Sequence, residues 1–119
     1  MKVLFAEPND LIRKVLTKRL SDEGYEVLSV ANGLEAEKQL KKQQNISIFV
    51  TEELLPFKSG FELLKICNEQ DLPSIVISDA DLEEKIVEAF SLGASDFIDK
   101  PYSPSELIVR IKNILKHSK

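Results

Sequence analysis

Four side chains of this 119-residue sequence stand out by chemistry and by place: Glu7, Glu52, Ser78 and Lys100. Each closes or follows a short apolar run. Val3, Leu4, Phe5 and Ala6 lead into Glu7. Ile46, Ile48, Phe49 and Val50 lead into Glu52. The β-branched stretch from Ser74 ends at Ser78, and Phe97 and Ile98 lead into Lys100. Two carboxylates, a hydroxyl and an ammonium, if brought together, make a site suited to an anion and a cation at once. Acids at the carboxyl end of a buried strand, before a turn and a helix, sit where open α/β sheets build their sites. The stretch ISIFVTEELLPFKSG has that form: an apolar run, Glu52 and Glu53, then Pro56 and Gly60, then the amphipathic segment Phe61 to Cys67.

The elements that would position these groups alternate. After the first run, Asn9 or Asp10 can cap a helix on which Leu11, Ile12, Val15, Leu16 and Leu20 recur at helical spacing. Gly24 is expected to end that helix in the left-handed region. Tyr25, Val27 and Val30 form the next strand, with Glu26 and Ser29 at its wetter positions. Asn32-Gly33 is a turn, and Leu34 to Lys42 is a polar helix anchored by Leu34, Ala36 and Leu40. Gly60 to Asn68 is a helix, and Pro73 opens the strand Ser74 to Ser78. Asp79-Ala80-Asp81 is expected to cap a helix carrying Ile86, Val87, Ala89, Phe90 and Leu92, ended by Gly93. A short strand over Asp96 to Ile98 precedes Lys100-Pro101. Ser103 or Ser105 caps a last helix with Leu107, Ile108, Ile111 and Leu115 inward. Five strand–helix alternations build an α/β fold, a five-stranded parallel sheet with helices on both faces in three layers. Right-handed crossovers then bring the ends of strands one, three, four and five together.

Composition narrows the function classes. The length suits one domain, 1–119, with a single core. The net charge of −4 provides no broad basic surface, so direct binding of nucleic acid by this domain is not expected. Apolar runs are too short to span a bilayer, and no membrane partner is expected. Cys67 is the single cysteine, which excludes an internal disulfide and a thiolate metal cluster and fits a cytoplasmic setting.

Through VLFAEPNDLIR, GYEV followed by ANGLEA, the Glu52–Pro56–Gly60 spacing with FELL after it, PSIVIS, and LGASDFIDKP, the chain resembles a receiver domain of bacterial two-component signalling along its whole length. The resemblance implies the flavodoxin-like sheet order 2-1-3-4-5. It implies that Glu52 stands at the phosphoacceptor position and Glu7 and Pro8 at the acid pair that holds Mg²⁺. Ser78 and Lys100 then fall at the positions that bind phosphoryl oxygens, and Phe97 at the switch aromatic. It also implies an output face on which Asp96, Glu106 and Arg110 form salt bridges across a two-fold dimer; Ile86 stands where a lysine partner for Glu106 belongs.

The departures from the pattern decide the expected function. Receivers accept a phosphoryl group on Asp. Glu52 carries an extra methylene, which displaces its carboxylate by about 1.5 Å. A misplacement of ~1 Å can lower a rate on the order of 100-fold. Pro8 offers no side-chain oxygen to a cation that takes oxygen ligands in near-octahedral geometry. The expectation is a receiver-like module, not an enzyme and without a cofactor, that works through protein partners: an output domain, a sensor kinase or a second copy. Glu52 is expected at a derived site, and Lys100 is expected to pair with Glu52 or Glu7. The alternative is a working phosphoacceptor in which Glu7 and Glu52 still hold Mg²⁺. Glu53 is expected to be solvated, Cys67 a core or boundary thiol, His117 a cation in the last helical turn, and Asp79, Asp81, Glu83 and Glu84 a cap and acidic decoration of the fourth helix.

Overall fold

The computed structural model describes residues 1–42, 45–79 and 82–117. Strands and helices alternate: β1 Lys2–Ala6, α1 Asp10–Asp22, β2 Glu26–Val30, α2 Gly33–Lys42, β3 Ile46–Glu52, α3 Gly60–Glu69, β4 Ser74–Ser78, α4 Glu83–Ser91, β5 Asp96–Asp99 and α5 Pro104–His117. All strand pairs are parallel, and the order is β2-β1-β3-β4-β5. The sheet interior is continuous hydrocarbon because both faces are covered by helices. On one face Val3, Phe5, Val50, Ile75, Ile77 and Ile98 pack with Leu16 and Leu20 of α1 and with Leu107, Ile108, Ile111 and Leu115 of α5. On the other, Leu4, Ala6 and Phe49 pack with Ala36 and Leu40 of α2 and Leu63 and Cys67 of α3. A smaller cluster joins Phe61 and Leu64 of α3 to Val76, Ala89 and Phe97.

The capping chemistry follows the sequence closely. The Asn9 side chain accepts from Ile12 N, Ser59 from Glu62 N and Ser103 from Glu106 N, so Ser103 rather than Ser105 starts α5. Gly24 has φ of +95°, the left-handed conformation expected after α1. Of the apolar residues at helical spacing on α1, Leu16 and Leu20 are buried against the sheet, while Leu11, Ile12 and Val15 are exposed. Two expectations fail. Leu34 is exposed, and α2 is anchored by Ala36 and Leu40 alone among the three. At α4 the residue before the first turn is Leu82, with no side-chain cap, while Glu83 and Glu84 occupy that turn; Ala80 and Asp81 lie outside the described residues.

Candidate functional site

The carboxyl ends of the strands bring Glu7, Glu52, Ser78 and Lys100 around one cavity of about 300 Å³, together with Glu53, Pro8 and Asp79. Glu52 is the last residue of β3, with Ile77 as its register partner on β4. The loop after it is drawn tight by Gly60, whose N–H donates to the Glu53 carbonyl at 2.8 Å. A side chain at Gly60 would lie 2.4 Å from the Glu52 carbonyl oxygen. That close approach explains the Glu52–Gly60 spacing.

Glu7 and Glu52 are 3% and 5% exposed, so both carboxyls sit essentially out of water. One oxygen of each has a partner: Glu7 Oε2 accepts from Asn9 N at 2.9 Å, and Glu52 Oε1 pairs with Lys100 Nζ. Of the two partners the sequence left open for Lys100, the structure has Glu52. The other two oxygens, Glu7 Oε1 and Glu52 Oε2, have none. Burial of Glu52 pushes its pKa up to about 7, and the neighbouring Glu7 adds to the rise, while the Lys100 hydrogen bond opposes it. For Lys100 burial acts against the charge, but the hydrogen bond to Glu52 together with the charges of Glu52, Glu7 and Asp79 outweighs it and the pKa rises. The Lys100 backbone N–H donates to the Ser78 carbonyl at 2.9 Å, which ties the loop after β5 to the end of β4.

Ser78 is buried, and its hydroxyl donates to Glu53 Oε1 at 2.6 Å. The expectation that Glu53 is solvated is therefore corrected: it is 5% exposed, and its second oxygen accepts from Lys85 Nζ of α4 at 2.5 Å. Burial would raise the Glu53 pKa, yet the bonds from Lys85 and Ser78 hold it below the usual carboxylate value. Sequence spacing could not reveal this pair, since 32 residues separate its members. The available signal was the extra acid at the end of a strand whose preceding residues are all apolar or small. Phe97 is a buried packing residue in the cluster with Phe61 and Ala89. Cys67 is buried, which pushes its thiol up to about 12, so it is an inert core residue at neutral pH. His117 ends α5 and is exposed.

On the α5 side, Arg110 reaches both oxygens of Asp96 at 3.0 and 2.8 Å and also Glu106 at 3.1 Å. All three expected output-face residues thus form one cluster within the chain. Among the described residues, no three His, Cys, Asp or Glu side chains are grouped so as to hold a metal ion. No helix of the described residues is long and apolar enough to cross a membrane.

Comparison with known proteins agrees with this geometry. The family model of the response regulator receiver domain matches residues 3–112. Response regulator RR06 of Streptococcus pneumoniae is 36% identical over 119 residues, covering 98% of this chain and 54% of its own length. Transcriptional regulatory protein CssR of Bacillus subtilis is 31% identical, covering 96% and 51%. The chain therefore spans about half the length of the curated relatives it matches. A solved Francisella response regulator 1452 receiver domain superposes with a TM-score of 0.90 at 30% identity, covering 99% of this chain and 98% of that one. The chain belongs to the response regulator receiver domain family.

Proposed function

We propose that this chain, over 1–119, is a signalling module that acts through protein partners and is not phosphorylated at Glu52. The observation that carries the reading is the Glu52–Lys100 ion pair at the place where a phosphoryl group would sit. The ammonium that would meet phosphoryl oxygens already has a carboxylate. Burial raises the Glu52 pKa to about 7, so its contact with the ammonium is an ion pair from about neutral pH upward and a hydrogen bond to a neutral carboxyl below it. The donor set does not fit a resident Mg²⁺: Pro8 contributes no side-chain oxygen and is exposed, and one Glu52 oxygen is taken by Lys100. In this reading Glu52 imitates a phosphorylated acceptor in part, since a phosphoryl group brings about −1.5 to −2 charge and three oxygens against one charge and two oxygens.

In this reading the partners are a sensor kinase, an output domain or a second copy meeting the face that carries Asp96, Glu106 and Arg110; the relatives' names, a response regulator and a transcriptional regulatory protein, agree with a signalling role. A second reading has one observation in its favour. Glu7 Oε1 and Glu52 Oε2 are buried without a partner, which suits a divalent ion shared between them in a working phosphoacceptor. Incubation with Mg²⁺ and a small-molecule phosphodonor, followed by intact-mass analysis, separates the two. No stable adduct is expected. Stoichiometric addition of a phosphoryl group on Glu52 would overturn the first reading and establish the second.

A further inference from the structure

We infer that Glu53 is an internal latch, which holds the Ser78 hydroxyl with one carboxylate oxygen and the first turn of α4, through Lys85, with the other.

The geometry that supports this is specific. Glu53 lies at the carboxyl edge of β3, where its N–H donates to the Ile77 carbonyl at 2.8 Å and so extends the ladder with β4. From that fixed backbone its side chain turns inward, 7% exposed, and both oxygens are engaged: Ser78 Oγ at 2.6 Å and Lys85 Nζ at 2.5 Å. Lys85 also lies over the Phe61 ring, 5.5 Å from its centroid. One ammonium on α4 thus grips β3 through Glu53 and α3 through Phe61.

The rest of α4 is lightly held. Its single fully buried side chain is Ala89, and Ile86 and Leu92 pack only in part against the cluster beneath. The residue before its first turn, Leu82, provides no side-chain cap. A helix with so little apolar anchorage depends on polar contacts at its start, and a charge-assisted bond to a buried carboxylate is stronger than an exposed pair. The same helix exposes Val87 and Phe90. The latch consequently sets how that apolar surface is presented. It does so from within the chain, by supplying Ser78 with an anionic acceptor from the protein. The inference concerns the seat of α4 and stands whether or not Glu52 takes a phosphoryl group.

Amide hydrogen exchange followed by NMR tests it on wild type, Glu53→Leu, Lys85→Met and the double variant. Each single substitution is expected to speed exchange of the α4 amides from Lys85 to Ser91 at least tenfold, equivalent to ~1.4 kcal/mol of local opening. The double variant is expected to fall well short of the product of the singles, because both break the Glu53–Lys85 bond while each also loses a contact of its own, to Ser78 or to Phe61, and the β1 and β3 amides are expected to keep wild-type rates. Unchanged α4 exchange, or single effects that multiply in the double variant, would overturn the latch. Lys85→Met, at a partly exposed position, decides the matter alone if Glu53→Leu does not fold. A phosphoryl adduct on Glu52 would overturn the proposed function and leave the latch intact.

Discussion

Glu52→Gln exposes the main electrostatic claim to measurement. In the folded chain Glu52 keeps its proton up to about pH 7, against 4.5 for an ordinary glutamate, mainly because its carboxyl is buried and faces Glu7. Between those two values the folded protein binds a proton that the unfolded chain has released. Folding stability contributed by this group is therefore fully present below about pH 4.5 and is lost as pH rises through about 7. The shift corresponds to about 3 kcal/mol, at 1.36 kcal/mol per pKa unit. Glutamine fills the same volume, remains neutral at every pH, and leaves Lys100 within the fields of Glu7 and Asp79. Urea unfolding of wild type and Glu52→Gln at pH 5, 6, 7 and 8, at fixed ionic strength, gives the difference; groups away from Glu7 and Lys100 cancel. The variant is expected to gain on wild type by about 2 kcal/mol between the ends of the series, somewhat less than the full shift because pH 5 already lies above 4.5, with most of the change below pH 7. A difference that does not vary with pH would refute the reasoning. A difference of opposite sign would do so more pointedly, since that is the behaviour of a carboxylate kept charged by Lys100.

Two further outcomes follow from the geometry around the site. At Gly33 a methyl group would lie 2.0 Å from the Lys58 carbonyl oxygen, and the Gly33 N–H bonds the Pro56 carbonyl at 3.0 Å, so α2 and the loop after β3 cannot both stay in place in Gly33→Ala. A loss of about 1–3 kcal/mol in urea unfolding is expected, and wild-type stability would contradict the close approach. For the face with Asp96, Glu106 and Arg110, sedimentation is expected to show a concentration-dependent dimer that Asp96→Arg abolishes; a monomer at high concentration, unchanged by that substitution, would remove the face as a self-association surface.

The sequence by itself determined the layered architecture. Apolar runs of strand length alternated with helical spacing at all five units, and turn and cap residues such as Asn9, Gly24 and Ser103 marked where one gave way to the next, because those signals act within a few residues. It also placed Glu7, Glu52, Ser78 and Lys100 at strand ends, where the parallel topology gathers them. Which helical face meets the sheet was less legible: Leu11, Ile12, Val15 and Leu34 carry the same hydrophobicity as Leu16 and Leu40, and only the packing of α1 against α5 and of α2 against α3 selects between them. The partner of Lys100, the burial of Glu53 and its grip on Lys85 were decided by tertiary structure alone. A carboxylate's role depends on which charges and hydroxyls lie within 3 Å and how much water remains, and those neighbours come from strands and helices far apart along the chain.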